Sequence, residues 1–231
     1  MCIRDRSTSP AQKNALIVTG GWSGHTPQES AALFKQLLEA AGHHVEVREG
    51  SDTYADTELL AKQQLIVPMH TMTEISDDAW KGLNHAVQSG CGFAGFHGAM
   101  IDAFRSNTDY QWMTGGQWVA HPGNDQMHYT VYLEDDEHPI TRGLGDFEMI
   151  GTEQYYCHVD PGNTVLCSTV FDQAAGDPSL YHQNVVMPYA WTKTWGKGRV
   201  FCAAWGHTHK DFDDPTAREI VRRGMLWATQ D

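Results

Sequence analysis

One histidine stands at the point where an apolar strand must turn. The segment Gly92–Ala99 reads GFAGFHGA, an apolar run followed by small residues around a single titratable side chain, His97. Small residues two positions before and after it, here Gly95 and Ala99, are typical of the sharp turn with which hydrolases expose a nucleophile. Those hydrolases carry serine or cysteine at the centre. An imidazole suits a base or a metal ligand better than an acyl-enzyme nucleophile, and a histidine that only caps a loop is the open alternative.

Short apolar runs bounded by glycine and polar residues precede this turn. They predict buried parallel strands at residues 14–21, 44–48 and 64–70, alternating with helical patterns. Tight alternation of this kind favours an α/β fold built on a mostly parallel, doubly wound sheet. Ligands of such sheets bind beyond the carboxyl ends of the strands. His25, His70 and His97 all follow predicted strands and are expected at that edge.

The helix boundaries carry their own signals. A capping-box pattern over Thr26–Glu29 predicts the start of one helix, and Ser76 and Gly90 predict the two ends of another. Residues 102–124 are expected to form a loop-rich insertion or a short helix over the crevice. Further strands are predicted at 127–133, 147–156, 165–170, 184–194 and 198–204, the last two as a hairpin, and a final helix is predicted after Asp214.

Length and charge restrict the domain organisation and the partners. The chain has 231 residues and a formal net charge of -13. Residues 14–231 are expected to form a single domain, and residues 1–13 a disordered or non-native N-terminal segment. Nucleic acid and anionic membranes attract positive surfaces, so neither is expected as a partner. A neutral small molecule fits the charge better, and assembly into a homo-oligomer is left open.

Cysteine usage indicates a reducing compartment. The five cysteines show no metal-type pairing, and buried free thiols are expected at Cys2, Cys91, Cys157, Cys167 and Cys202. No apolar run is long enough to span a membrane, and the N-terminus lacks the apolar core of a signal peptide. We therefore expect a cytoplasmic protein, provided that the native N-terminus is the one in the sequence. Cys157 adjoins His158, but neighbours on a strand face opposite ways, so adjacency alone does not make a catalytic dyad.

The thirteen histidines divide by their predicted surroundings. Those in loops after strands are the candidates for function, because loops carry function disproportionately: His25, His97, His121, His158, His207 and His209. Two or three imidazoles with a carboxylate would suit zinc or manganese and leave a position for substrate oxygen. His25, His97 and His207 are the predicted metal ligands. Glu153 is the best carboxylate because it interrupts an apolar segment, with an ion pair to Arg142 or Arg199 as the alternative.

Aromatic residues are frequent near the same loops. Aromatic faces with a few polar groups suit the surface of a sugar ring, and core packing is the alternative for each residue taken alone. The residues concerned are Trp22, Trp112, Trp118, Tyr155, Trp191 and Trp205.

An ordered set of motifs extends through almost the whole chain after residue 13. It comprises Gly20-Gly21 with His25, Gly95–Ala99 with Asp102 and Phe104, Gly115–Trp118 with His121-Pro122, His138–Leu144, Glu153–Tyr155, Pro188 with Trp191, Gly196–Phe201 and Gly206-His207. In this order the motifs resemble the ThuA-like, or trehalose-utilisation, family of the class I glutamine amidotransferase-like superfamily.

The resemblance implies a flavodoxin-like three-layer fold. It places His97 where amidotransferases of the superfamily carry their nucleophilic cysteine, so cysteine-dependent glutamine hydrolysis is not expected. His207 falls roughly where those relatives keep a catalytic histidine. The family is associated with catabolism of trehalose and related disaccharides, beside dehydrogenases that make 3-keto sugars. Thr152, where an acid is expected, and His158–Pro161 depart from the family pattern.

These observations together predict an enzyme that acts on a disaccharide or a 3-keto-sugar derivative, as a lyase, isomerase or hydrolase. His97 and Glu153 are expected to transfer protons, and His207 to orient substrate or bind metal. The expected substrate-binding residues are Trp22, His25, Asp102, His121, Tyr155, His158 and Trp191. The alternatives are a non-catalytic carbohydrate-binding or scaffolding domain and a hydrolase with a cysteine nucleophile.

Overall fold

The computed structural model describes residues 12–171 and 185–229. The strands are β1 Lys13–Gly21, β2 His43–Glu49, β3 Leu65–Thr71, β4 Gly92–Phe96, β5 Gly116–Ala120, β6 Met127–Leu133, β7 Phe147–Thr152, β8 Tyr156–Val159, β9 Thr164–Phe171, β10 Val185–Trp195 and β11 Gly198–Ala203. The helices are α1 Pro27–Ala40, α2 Thr57–Leu60, α3 Asp77–Ser89, α4 His97–Ile101, α5 Thr108–Thr114 and α6 Pro215–Ala228.

The described strands form one large sheet and one small one. The large sheet has nine strands in the order β2-β1-β3-β4-β11-β10-β9-β6-β7, and β5 pairs with β8 in the small sheet. From β2 to β11 all neighbours are parallel, and from β11 to β7 they are antiparallel. The expected α/β fold with a doubly wound parallel sheet is confirmed. The antiparallel strands extend that sheet on one side.

Helices cover both faces of the central parallel strands, which explains why β3 and β4 are buried throughout, whereas the edge strand β2 carries exposed charged residues. Helices α1 and α6 contact each other and pack on β1, β2, β4 and β11. Gly224 of α6 lies so close to Phe201 that an added Cβ would stand 2.3 Å from the ring. Phe93 of β4 pairs with Val200 of β11, so it faces the side of the sheet opposite to Phe201. It contacts Tyr110 of α5, with ring centroids 6.0 Å apart. Helix α5 therefore covers that other side and forms the third layer.

The helix boundaries follow the predicted signals with one exception. Ser76 accepts a hydrogen bond from the Ala79 amide at 3.3 Å, and Gly90 ends α3 with φ of 124°. Helix α1 begins at Pro27, as predicted, but it lacks the side-chain cap of a capping box, because Thr26 has left-handed backbone angles and its side chain caps no amide of α1. Its hydroxyl accepts instead from the His209 amide at 2.9 Å. Thr26 thereby joins the start of α1 to the loop before α6.

The predicted strand 147–156 is in fact two strands. Strand β7 ends at Thr152, and β8 begins at Tyr156 in the other sheet, paired with β5. The three residues between them change direction and carry Glu153 out of the large sheet. Residues 102–124, expected as an insertion, contain both α5 and β5.

His70 lies near the carboxyl end of β3, as predicted, but its side chain is buried among protein groups and not open to a ligand. It lies inside β3, is 1% exposed, and its Nε2 is 2.7 Å from the Tyr54 hydroxyl. His182, Asn184 and residues 1–11 lie outside the described residues, whereas Lys13 belongs to β1 and not to an irregular segment. Across residues 12–171 and 185–229, no helix has both the length and the apolarity to cross a membrane.

Four of the cysteines are buried free thiols, as predicted: Cys91, Cys157, Cys167 and Cys202. Cys2 lies outside the described residues. Burial raises the pKa of the Cys91 thiol to about 12, so this thiol stays protonated at neutral pH.

Two of the tryptophans that the sequence makes candidates for contact with a sugar ring are core residues. Trp191 and Trp205 are both fully buried. The Trp191 indole N–H donates to the Thr114 carbonyl at 2.8 Å. The prediction that Trp191 supports a sugar ring is wrong, because no face of the ring is accessible.

We expect Trp191→Phe to lower the free energy of unfolding by about 2–3 kcal/mol, since it leaves the Thr114 carbonyl unpaired and opens a cavity. Trp112→Phe is the matched control, because Trp112 is 61% exposed and should change stability by less than about 0.5 kcal/mol. Equilibrium denaturation of both variants measures the difference. Equal losses would contradict the assignment of Trp191 to the core.

Candidate functional site

Three histidines and one glutamate converge at the carboxyl edge of the large sheet. We call His25, His97, Glu153 and His207 the His–Glu cluster; one ligand atom from each lies within 4.8 Å of those of the others. His25 ends a 3-10 turn after β1, His97 opens α4 after β4, Glu153 follows β7, and His207 follows β11. Four segments distant in sequence meet here because each follows the carboxyl end of a strand, and these strand ends lie at the same edge of the sheet.

The turn at His97 is as sharp as its sequence predicts. His97 has φ of 51°, a left-handed conformation that is rare for residues with a side chain. A Cβ on Gly98 would lie 2.4 Å from the Thr71 methyl group, so the following position requires glycine. Backbone strain of this kind persists where the surroundings fix it, and it is concentrated at functional sites. Here it aims a 1% exposed imidazole at Glu153.

Glu153 lies between two imidazoles. Its Oε2 is 3.3 Å from Nε2 of His97 and 3.2 Å from Nδ1 of His207. These three atoms are buried, yet none of them makes a hydrogen bond of regular geometry within the described residues. Buried polar atoms without a partner are costly. Their convergence on one point is the arrangement expected of ligands that share a cation.

His25, the fourth member of the cluster, is oriented by a hydrogen bond on the ring nitrogen that points away from the cluster. Nδ1 of His25 is 2.8 Å from the Thr71 hydroxyl, which leaves Nε2 as the nitrogen available to the cluster. Its ring lies edge-on to His97 and His207, with centroids 4.8 and 5.1 Å apart. A hydrogen bond on the remote nitrogen is the usual means of orienting a metal-binding histidine.

Asp211 connects the two segments that carry Glu153 and His207. Its Oδ2 accepts from the Thr152 hydroxyl at 2.7 Å and from the His207 amide at 2.8 Å. Thr152, the departure from the family pattern, is 1% exposed and directly precedes Glu153. A single carboxylate oxygen therefore fixes both segments relative to each other.

The protonation states suit a cation. Burial disfavours ionised Glu153, but His207 and His97 outweigh it and hold the pKa of Glu153 well below its usual range. Burial lowers the pKa of His97, and burial together with His97 and His207 lowers that of His25 to about 2. Burial also acts to lower the pKa of His207, but Glu153 outweighs it and the pKa is raised. An ionised carboxylate beside the neutral imidazoles of His25 and His97 offers donors that suit zinc and related divalent ions, and His207 would join them by losing its proton when a cation binds.

Aromatic rings form the walls beside the His–Glu cluster. Tyr155 stacks on His97 with centroids 3.9 Å apart, and Trp22, 48% exposed, lies 4.9 Å from His25. His121 has Nε2 3.8 Å from Oε1 of Glu153. The structure thus brings three predicted substrate-binding residues, Trp22, His121 and Tyr155, to the cluster.

Asp102 and Trp118 lie further along the Tyr155 wall. Asp102 is buried and forms an ion pair with Arg105, and Arg105 lies over the Trp118 ring at 4.7 Å. The ring of Trp118 is 6.2 Å from that of Tyr155. Sequence reasoning did not select Arg105, although its position three residues after Asp102 is a typical ion-pair spacing.

Other candidates lie elsewhere. His158 is exposed on β8, paired opposite Gln117, and is not one of the residues that converge in the His–Glu cluster. His209 bonds to Thr26. Neither alternative partner of Glu153 is used, because Arg142 contacts Glu137 and Arg199 lies over Trp227.

The cysteine alternative finds no support in this geometry. Cys157 is 3% exposed, and burial holds the pKa of its thiol far above the usual value. Its neighbour His158 is exposed, on the other side of the strand. A thiolate nucleophile at this position would be neither formed nor accessible.

A groove at the other end of the sheet lies away from this chemistry. It measures about 540 Å³ and runs between α2 and α3, at the amino ends of β3 and β4. Its lining includes Thr57, His85 and Cys91 but no group of converging titratable side chains. The site is therefore assigned from the His–Glu cluster and not from cavity size.

Comparisons with known proteins agree with this fold. A family model described as "ThuA: Trehalose utilisation" matches residues 14–228. A comparison with curated proteins gives no significant match. A solved protein described as ThuA-like from Bacteroides uniformis ATCC 8492 is 19% identical, covers 95% of this chain and 93% of its own, and has a TM-score of 0.77.

Two further solved structures show how widely the fold occurs. A ThuA-like protein from Parabacteroides merdae ATCC 43184 is 19% identical, with 95% and 90% coverage of the two chains and a TM-score of 0.70. A beta-galactosidase from Bacillus circulans sp. alkalophilus is 12% identical over 94% of this chain and 30% of its own, with a TM-score of 0.58.

The buried His70 near this edge predicts a pH effect. Burial lowers its pKa from 6.5 to about 4. As the pH falls from 6.5 towards 4, the unfolded chain takes up this proton and the folded chain does not, so stability is lost by about 1.4 kcal/mol per pH unit. We expect His70→Gln to remove this slope from the unfolding free energy, measured by denaturation at several pH values.

Tyr54→Phe is the matched variant for that measurement. It deletes the hydroxyl that contacts His70 but keeps the imidazole buried. The slope should therefore persist. A slope lost equally in both variants would show that the hydrogen bond, and not burial, lowers the pKa of His70.

Proposed function

The chain belongs to the ThuA family, and from that membership we propose that it is a carbohydrate-catabolic enzyme acting on a disaccharide or a 3-keto-sugar derivative. The family description places its role in trehalose utilisation and thus in carbohydrate metabolism. The finer assignment of substrate and chemistry rests on the His–Glu cluster. One observation supports it most: buried atoms of His97, Glu153 and His207 converge, beside His25, without hydrogen-bond partners of their own.

The residues of the cluster fit a divalent cation, zinc or manganese. His25, His97 and His207 would hold it through imidazole nitrogens, and Glu153 through Oε2. A cation bound there would polarise a carbonyl or hydroxyl oxygen of the sugar. The Thr71 contact to His25 and the Asp211 contacts to Thr152 and His207 keep these side chains in place.

Glu153 is the proton acceptor in this proposal. It is ionised at neutral pH, and its Oε1 lies on the side of His121, 3.8 Å from Nε2. Trp22 offers a half-exposed indole face on the opposite side of the cluster, suited to the apolar face of a sugar ring.

Elemental analysis of the protein, purified without an affinity tag, should find about one zinc or manganese per chain. Glu153→Gln and His97→Gln each remove one ligand from the cluster, so their metal content should fall by at least about tenfold. His128→Gln is the matched control, since His128 is exposed on β6, away from the cluster.

Thermal unfolding gives a second measure of the same metal. A ligand at one hundred times its Kd stabilises the folded state by about 2.7 kcal/mol, so added zinc or manganese should raise the Tm of the metal-free protein but not of Glu153→Gln. Substoichiometric metal together with an unchanged Tm would refute the metal assignment.

Turnover of a 3-keto-disaccharide should fall by about 10²–10⁴ in Glu153→Gln, the usual contribution of a positioned acid or base. His128→Gln should leave turnover unchanged. Product analysis by mass spectrometry measures both. If sugar binding survives the combined loss of His97 and Glu153 and the unsubstituted protein makes no product, the non-catalytic carbohydrate-binding alternative is correct.

A further inference from the structure

We propose that Arg105, fixed by Asp102 against the face of Trp118, binds the second ring of the sugar substrate and determines specificity for two-ring ligands. This inference rests on the proposed function, because it assumes that a sugar binds at the His–Glu cluster. It assigns a binding role to a residue outside the predicted site.

The ion pair immobilises the guanidinium. Nε and Nη2 of Arg105 donate to the two oxygens of Asp102 at 2.6 and 2.8 Å, a parallel two-bond arrangement with high geometric specificity. Asp102 is 3% exposed, whereas the Arg105 side chain is about half exposed. A buried carboxylate thus holds a partly exposed cation in one orientation.

The backbone around this pair is fixed as well. The Asp102 amide donates to Gly98 at 2.8 Å, and its carbonyl accepts from Met72 at 3.1 Å. The Arg105 carbonyl accepts from the Gln111 side chain at 3.0 Å. The segment is therefore anchored to the helix that begins at His97.

A continuous row of rings joins Arg105 to the cluster. The guanidinium carbon lies 4.7 Å from the Trp118 ring, Trp118 lies 6.2 Å from Tyr155, and Tyr155 stacks on His97 at 3.9 Å. Trp22 contacts the cluster through His25 and His207, with centroid distances of 4.9 and 6.3 Å. Trp22 is thus joined to the cluster through His25 and His207, whereas Arg105 is joined to it through Trp118 and Tyr155.

The chemistry of Arg105 selects oxygen acceptors. Arginine has five N–H donors, and Asp102 uses two of them; Nη1 makes no hydrogen bond within the described residues. The indole N–H of Trp118 has no partner there either, but it is buried. The free donors of Arg105 are therefore the ones that a ligand can reach. Hydroxyl and ring oxygens of a sugar are acceptors that suit them.

Charge favours a neutral ligand over an anionic one. Asp102 already neutralises Arg105, and the chain carries a net charge of -13. A phosphate or carboxylate would be repelled by the negative charge of the protein, and Arg105 is already paired with Asp102. A hydroxylated ring, placed beside the first ring at the cluster, meets the donors without a charge penalty.

Equilibrium binding of trehalose and of glucose tests the inference. The unsubstituted protein should bind trehalose at least about tenfold more tightly than glucose. Arg105→Met keeps the aliphatic stem and removes the donors, so it should weaken trehalose binding about tenfold and leave glucose within about twofold. Arg105→Lys keeps the charge but loses the paired donors, and it should behave like Arg105→Met.

Arg199→Met is the matched control. Arg199 also lies over a tryptophan, Trp227, at 5.2 Å, and contacts its carbonyl, but it is remote from the cluster. Its loss should leave both affinities unchanged. Metal content and Tm of each variant show that the fold and the cluster are intact.

Three results would overturn the inference: no preference for trehalose in the unsubstituted protein, no weakening in Arg105→Met, or equal weakening for both sugars. Loss of metal binding in the unsubstituted protein is a different failure. It would refute the proposed function. Normal metal content together with unchanged trehalose affinity in Arg105→Met would refute only the role of Arg105.

Discussion

A carboxylate buried between imidazoles is the interaction on which the site depends. Glu153 is 7% exposed, and burial alone would favour its neutral form. Its ionised form is held by His97 and His207, whose nitrogens lie 3.3 and 3.2 Å away. The three side chains are therefore interdependent: removing either imidazole leaves a charge in a poorly solvated place, and removing the carboxylate leaves two buried imidazoles facing each other.

The fold supplies this arrangement through two departures from regular structure. Strand β7 stops at Thr152, so that Glu153 leaves the sheet, and His97 takes a left-handed conformation as α4 begins. Asp211 then connects the end of β7 with the loop after β11. The common effect of these features is to bring donor atoms from separate strands within reach of one another.

Much of the fold follows from local pattern, because parallel strands buried on both faces must be apolar throughout and helices begin and end at recognisable residues. The turn at His97 was predictable for the same reason, since only small residues fit around it. The break after Thr152 was not, because the apolar character of 147–156 continues through it. No local signal in the sequence distinguishes Trp191 from Trp22. Trp191 is buried and Trp22 exposed because Trp191 packs against Thr114, which is distant in sequence. The role of Asp211 depends on contacts 59 and 4 residues away, of which only the shorter is local.

The order of strands in the sheet affects when the site can exist. Strand β11, near the end of the chain, lies between β4 and β10 in the middle of the sheet. During synthesis β4 therefore has an unpaired edge until more than a hundred further residues have emerged, since Phe93 pairs with Val200. His207 follows directly after β11. A nascent or truncated chain thus lacks both the central strand and one member of the His–Glu cluster, so that only a completed sheet offers the full set of donor atoms.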